Sequence, residues 1–239
     1  MSPSRQGRWL RRLVVTVVLV AILAFVVDKV AAVVAQNQLA SMAQKEAAKY
    51  DVRSADTSVK INGFFIPQLI KQDFSKVTLT MGKPAFSKVP GENLTVDMSN
   101  VHVPRSLLFQ QSGTVTVGTT DMQVKISPRE IGRLAVHSTP GLAGLTTEVV
   151  GGKLHAKAAI QGVNIDVPVV PQIQKGQIAL AVDESATGVP SALQNALKNL
   201  LARGISLPEL PFGAQLTSVN VQDNAVVLSA TVKDLKFTR

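Results

Sequence analysis

The sequence predicts an α+β protein in which a long curved antiparallel sheet wraps around apolar helices, preceded by an N-terminal transmembrane helix. Three observations lead to this prediction. Arginines precede a long apolar run near the N-terminus, the hydrophobic period changes from helical to alternating after about residue 50, and helices interrupt the strands irregularly. Because a parallel sheet requires a regular alternation of strands and helices, the irregular mixture favours an antiparallel sheet.

The N-terminal segment has the pattern of a membrane signal. Arginines at positions 5, 8, 11 and 12 precede the apolar run Leu13–Val27, and no acidic residue occurs before Asp28. A positively charged flank stays in the cytoplasm, so the chain that follows the run is expected outside the cytoplasm.

Two fates are open for this segment. About 20 apolar residues span the hydrocarbon core, and Leu13–Val27 is short for that length. Val33-Val34-Ala35 suits signal cleavage, but a cut there would remove the start of the next helix. We favour a signal anchor over residues 13–30, a cytoplasmic flank over 1–12 and an extracytoplasmic domain over 31–239. The alternative is a cleaved signal and a secreted domain.

Residues 31–50 are predicted to form a helix. Leu39, Met42, Ala43, Ala47 and Tyr50 recur at helical spacing, and polar residues occupy the opposite face. This helix would continue directly from the membrane segment and pack on the domain.

The following segments alternate apolar and polar residues, which is typical of strands packed on one face. Asp223-Asn224 suits a tight hairpin between the last two strands. The alternating apolar positions are those within 77–81, 94–98, 101–103, 115–117, 122–126, 165–169, 178–182, 219–221 and 226–228.

Two further helices are predicted among the strands. Ser127-Pro128-Arg129-Glu130 forms a capping box with proline at the first helical position. Pro190 begins a second helix with an apolar stripe at Leu193, Leu197, Leu200 and Leu201, which ends near Gly204.

Composition narrows the function classes. The chain has 239 residues, no cysteine, 25 basic and 16 acidic residues, and a net charge of +9. The absence of cysteine excludes a disulfide scaffold and thiol catalysis. Dispersed basic residues and a 4% aromatic content argue against nucleic acid, whereas a mildly basic exported domain suits an anionic membrane surface.

No motif predicts catalysis, a metal site or a cofactor. His102, His137 and His155 lack a metal-ligand spacing, and Gly151-Gly152-Lys153 fits a hairpin turn better than a phosphate loop. The carboxylates of Asp183-Glu184 would point to opposite sides of a strand end. We therefore expect a non-enzymatic protein.

Two stretches resemble a known family. Val59–Leu69 is similar to the "G-x-P-F-L-x-Q-L" signature of the LmeA-like phospholipid-binding family, with Phe64 where the family usually has proline. Leu207–Gly213, followed by Leu216–Val219, resembles the family's "L-P-x-L-P-x-G-x-x-L-x-x-V" element.

The resemblance implies a phospholipid-binding protein of the cell envelope of high-GC Gram-positive bacteria. It also implies a fold similar to tubular lipid-binding proteins and a link to envelope glycolipid assembly. Phospholipid and membrane are then the expected partners, and protein partners stay unknown. Apolar side chains would line such a site, and the candidates are Phe64, Phe65, Leu69, Phe74, Leu107, Leu108, Phe109, Leu134, Leu193, Leu197 and Leu200.

Two alternatives remain at this point. The chain could be an envelope scaffold that binds another protein and fills its cavity with its own side chains. Less favoured is an envelope hydrolase whose catalytic residues converge from distant positions.

Overall fold

A computed structural model of the chain describes residues 5–86, 89–106, 112–139, 141–160, 163–183, 195, 198–205 and 213–238. The helices are α1 (Arg5–Ala48), α2 (Phe65–Lys71) and α3 (Pro128–Ser138), and residues 198–201 are also helical. The strands are β1 (Val52–Arg53), β2 (Asp56–Ile61), β3 (Asp73–Gly82), β4 (Ala85–Phe86), β5 (Val89–Pro90), β6 (Asn93–His102), β7 (Thr114–Ile126), β8 (Thr146–Val150), β9 (Lys153–Ile160), β10 (Val163–Gln174), β11 (Gln177–Val182), β12 (Gln215–Gln222) and β13 (Ala225–Thr238).

Helix α1 is continuous over 44 residues, about 66 Å at 1.5 Å per residue. Its first half exposes valine, leucine and phenylalanine side chains, and its second half packs on the sheet. By length and composition, Val15–Ala48 includes a candidate membrane span. Asp28-Lys29 does not break the helix, although it ends the apolar run in the sequence.

The main sheet has six strands in the order β12-β13-β7-β6-β3-β2, and all neighbours are antiparallel. A second sheet has the order β11-β10-β9-β8, and a small third one joins β1, β4 and β5. The predicted α+β class with a largely antiparallel sheet is confirmed.

The apolar alternation shifts by one residue at the same level in four neighbouring strands. Val77, Met98, Thr120 and Val232 form one cross-strand row, and the next inward-facing residues lie three positions away rather than two. That next row consists of Phe74, Val101, Val117 and Leu235. We call the line between these rows the crease.

Residues at the crease have the backbone that such a shift requires. Asn100 and Asp234 adopt positive φ, at 55° and 54°. A Cβ on Gly118 would lie 3.2 Å from the Cβ of Asn100, so glycine permits the close approach there. A local irregularity of this kind re-aims side chains and increases strand twist, and here it recurs at the same level in four neighbouring strands.

Helix α3 and the second sheet form a separate part of the core. Ile131, Leu154, Val167 and Ile178 are among its fully buried side chains. Ser127 caps α3 by accepting a hydrogen bond from the Glu130 backbone N–H, as the capping box predicts.

Two predicted hairpin turns are also confirmed. Gly151-Gly152 joins β8 to β9, and Asp223-Asn224 joins β12 to β13. All four residues have positive φ, as a two-residue turn of the type that matches the strand twist requires. The predicted helix start at Pro190 lies outside the described residues.

Candidate functional site

A cavity of about 310 Å³ lies between the inner face of the main sheet and the C-terminal turns of α1. Its walls come from β3, β6, β7, β12 and β13, with contributions from α1, α3 and the small sheet. The lining residues are Ala43, Glu46, Ala47, Tyr50, Val52, Leu79, Met81, Phe86, Val89, Leu94, Val96, Met98, Thr120, Met122, Val124, Ile126, Leu134, Leu216, Leu228, Ser229, Ala230, Leu235 and Phe237.

Strand register brings the cavity wall together. One cross-strand row runs through Leu79, Val96, Met122, Ala230 and Leu216, and all five line the cavity. These residues come from sequence positions far apart, yet the alternation of each strand turns them to the same face. The wall therefore depends on the antiparallel register of five strands.

Thr120 is a polar residue buried in this apolar wall. It is 1% exposed, and its Oγ1 has no hydrogen-bond partner among the described residues. It lies on the crease, where the cavity meets the cluster packed around α2. An unpaired buried hydroxyl costs free energy, so Thr120 is the point in the wall where a polar ligand atom would be stabilised.

A packed cluster closes the end of the cavity nearer α2. The rings of Phe65 and Phe74 lie 6.0 Å apart, tilted by 37° to each other, and both residues pack with Ala32, Ile61 and Val117. At the other end, the last turns of α1 bring Glu46 and Tyr50 to the cavity edge. Glu46 is exposed and accepts a hydrogen bond from the Lys49 ammonium at 2.7 Å.

Gln68 organises the loop that contains the first family-like motif. Its Nε2 donates to the carbonyl oxygens of Asn62 and Phe64, both at 2.8 Å. Its Oε1 accepts from the Ser75 backbone N–H at 2.9 Å. A Cβ on Gly63 would approach Nε2 to 3.1 Å, and Gly63 has a φ of 88°. The glycine and glutamine of this motif thus act together to shape the entry into α2.

The structure separates the predicted lipid-binding residues. Of the described ones, only Leu134 lines the cavity, whereas Phe65, Leu69 and Phe74 belong to the cluster around α2. Phe64 is exposed, and Leu200 packs against the core of the second sheet. Leu107, Leu108, Phe109, Leu193 and Leu197 lie outside the described residues, as does most of Leu207–Gly213.

Most residues of the cavity wall are not among the predicted site residues. Met81, Leu94, Val96 and Met122 were recognised as alternating strand residues but not as site candidates. The alternation of apolar and polar residues places these four side chains on one face of the sheet, and this is the sequence pattern that could have identified them as a cavity wall. The predicted site residues are bulky phenylalanines and leucines instead, and two of them, Phe65 and Phe74, pack against each other away from the cavity.

The polar pairs with altered acidity lie away from the cavity. Desolvation opposes the shift, but hydrogen bonds from Thr78 and Lys76 lower the pKa of Asp97. A hydrogen bond from His155 lowers the pKa of Asp166. Both carboxylates lie on outward-facing strand positions, where they are structural ion-pair partners.

The other candidate polar groups do not assemble into a site. His102 pairs with Asp73 at 2.7 Å, and Asp183 pairs with Lys153 at 3.0 Å. Glu184 lies outside the described residues. Within the described ranges, no group of three His, Asp or Glu side chains is arranged to hold a metal ion.

Comparison with known proteins identifies the family. The family model described as "LmeA-like phospholipid-binding" matches residues 26–231, which is most of the chain. No curated protein and no solved structure matches. The chain belongs to the LmeA-like phospholipid-binding family, as the two motif-like stretches predict.

Proposed function

We propose that the protein is a membrane-anchored, extracytoplasmic phospholipid-binding protein whose cavity holds a lipid acyl chain. Residues 1–12 would be the cytoplasmic flank, 13–30 the anchor and 31–239 the lipid-binding domain. We further propose that it serves the assembly or maintenance of envelope lipids or glycolipids. This last step rests on the family membership and on the arginine flank that directs the domain outward.

The apolar cavity is the observation that carries the proposal. Its volume of about 310 Å³ lies at the lower end of the range of roughly 300–1,000 Å³ for small-molecule sites. Burial of an acyl chain gains about 0.8 kcal/mol per methylene group. A wall made mostly of methionine, valine, leucine and alanine supplies this term, which supports binding of an acyl chain.

The position of α1 supports a link between membrane and cavity. The exposed apolar half of α1 and the cavity-lining Ala43 and Ala47 are parts of one helix. A rigid helix holds the cavity at a set distance from the membrane in which the first half would lie. Lipid could therefore be received from, or returned to, the same membrane.

A photoactivatable phospholipid tests the proposal on the full chain. The lipid carries a diazirine on its acyl chain, and the protein is reconstituted in proteoliposomes with it. After illumination, mass spectrometry of peptides locates the cross-links. We expect labelled residues on the inner face of β6 and β7, at Val96, Met98 and Met122, in addition to labels on α1 residues 15–27.

The outer face of the same strands supplies the control. Thr95, Asp97 and Gln123 belong to the same peptides but point away from the cavity. Labels confined to α1, or spread equally over both faces, would contradict lipid in the cavity. A cavity that stays unlabelled in folded protein would favour an envelope scaffold that binds another protein.

A further inference from the structure

Helix α2 exposes apolar side chains beside the candidate membrane span. Phe64, the residue that precedes α2, is 55% exposed, and Ile70 in its last turn is 62% exposed. Phe65, in contrast, is buried in the cluster beneath. The short helix thus has one face in the core and one apolar face outside.

Contacts from α1 hold α2 at a defined height along the span. The Asp28 Oδ1 accepts a hydrogen bond from the Ile66 backbone N–H at 2.7 Å. Phe64 itself supplies no side-chain cap to α2, so Asp28 provides the acceptor from another helix. Asp28 is only 3% exposed, although it follows an apolar run that lies open on the surface.

Aromatic and cationic groups meet at the same height. The rings of Phe25 and Phe64 pack edge to face with centroids 6.3 Å apart. The Lys29 ammonium lies 5.4 Å from the Phe25 ring and 5.5 Å from the Phe64 ring. A lysine at the end of an apolar run can lay its stem along the apolar surface and keep its ammonium in water, which is typical of the membrane–water interface.

Two further cations flank the exposed face of α2. Lys71 ends the helix and is exposed. Arg105 is also exposed, and its guanidinium donates a hydrogen bond to the Ile70 carbonyl oxygen at 3.1 Å. Cations around an apolar patch match a leaflet that contains anionic phospholipids.

We infer that the exposed face of α2, with Phe64 and Ile70, inserts into the headgroup region of the outer leaflet and docks the domain on the membrane. The occupant of this surface is an anionic lipid bilayer. Continuity with the span carries the inference, since Phe64 contacts Phe25 directly. The inference rests on the membrane anchoring stated under the proposed function.

Docking at α2 sets the position of the cavity above the membrane. Asp28 and Ala43 are separated by 15 residues of α1, about 22 Å along the helix. The cluster around Phe65 and Phe74 fills part of this interval. Acyl chains would thus be received beyond the headgroup region rather than at it.

Tryptophan fluorescence tests the inference on the full chain. Trp9 is the only tryptophan, so Trp9→Phe gives a silent background. Phe64→Trp and Ile70→Trp are then introduced singly and reconstituted in phosphatidylglycerol–phosphatidylcholine vesicles. Phe64→Trp keeps an aromatic ring against Phe25, and Ile70 is exposed enough to accept a larger side chain.

Two reference positions calibrate the result. Val150→Trp replaces a 47% exposed apolar residue on β8, in the second sheet, and Ile22→Trp lies in the span. We expect blue-shifted emission at positions 64 and 70, strong quenching by lipids brominated near the glycerol end of the acyl chain, and weak quenching by aqueous acrylamide. Val150→Trp should instead be quenched strongly by aqueous acrylamide and weakly by brominated lipid.

Each contrary outcome is distinct. Lipid quenching at position 22 without quenching at 64 and 70 would overturn docking while anchoring stands. Absence of quenching at position 22 by lipids brominated near the terminal methyl of the acyl chain, which reach the middle of the span, would overturn both docking and anchoring. Protection of positions 64 and 70 from acrylamide as well as from brominated lipid would mean that protein covers the face, which overturns a bilayer as its occupant.

Discussion

Filling the cavity should stabilise the protein while removing its lipid. Ala230 lies on β13 between Met122 and Leu216, and its side chain faces the cavity. Ala230→Leu adds three carbon atoms where the wall leaves space. At about 0.8 kcal/mol per buried methylene, the gain in free energy of unfolding reaches about 2.4 kcal/mol.

The sign of this change distinguishes a cavity from a packed core. The same three added carbon atoms in a well-packed site cost about 1–3 kcal/mol instead. Ala156→Leu is the matched control, since Ala156 lies on an inner strand face between Thr147 and Val167 and does not line the cavity. We expect this control to lose stability and to keep its lipid.

Thermal unfolding of delipidated full-length protein measures the first effect. For a domain of this size, 1 kcal/mol shifts Tm by roughly 2–4 °C, so Ala230→Leu should melt about 5–10 °C higher. Photo-cross-linking to the cavity measures the second effect and should fall severalfold. Added phospholipid should raise the Tm of the parent more than that of the variant, because ligand stabilises only the form that binds it.

An Ala230→Leu variant that behaves like Ala156→Leu would contradict free space beside residue 230. A destabilised variant with unchanged cross-linking would mean that residue 230 faces a filled core. If the parent protein also shows no cross-links at the cavity wall, a scaffold whose interior is occupied by its own side chains is favoured instead.

Two further predictions concern single polar groups. Thr120→Val removes the unpaired hydroxyl and should raise the free energy of unfolding of the delipidated protein by about 1 kcal/mol. Chemical denaturation measures this change. A loss of stability would mean that the hydroxyl has a partner in the fold. Gln68→Glu replaces two donated hydrogen bonds by repulsion between a carboxylate and the carbonyl oxygens of Asn62 and Phe64. The variant should lose about 1–3 kcal/mol of unfolding free energy at neutral pH and regain much of it when the carboxyl group is protonated. An equal loss of stability at neutral and acidic pH would argue against the donated bonds.

Much of the fold follows from local patterns that the sequence displays openly. Alternation located the strands, the Ser127 capping box located α3, and Asp223-Asn224 located the last hairpin. The continuity of α1 through Asp28 was less accessible. The buried Asp28 Oδ1 accepts from the backbone N–H of Ile66, 38 residues later, while Oδ2 has no partner among the described residues. A partner so distant in sequence has no signal near Asp28.

The cavity was harder to predict because empty space depends on how side chains from distant strands pack, and no single residue type marks it. Phe65 and Phe74 were chosen as bulky and apolar, and those properties let them close a core. Ala230 and Val96 leave space because they are small, and only register across distant strands places them together. The crease did have a signal, since the apolar positions of β7 are odd at Val115 and Val117 but even from Met122 onward.

The packing of α1 bears on whether the leader is retained. Cleavage after Ala35 would keep all residues that line the cavity, since the first of them in the sequence is Ala43. It would, however, delete Asp28, which caps α2, and Ala32, which is buried against Phe65 and Ile61. The loss would strip the backbone N–H at Ile66 of its acceptor and open the cluster that closes the cavity. The candidate membrane span and the folded domain therefore share one helix whose middle turns stabilise the domain, and this gives the uncleaved form a physical advantage beyond the proposed attachment to the membrane.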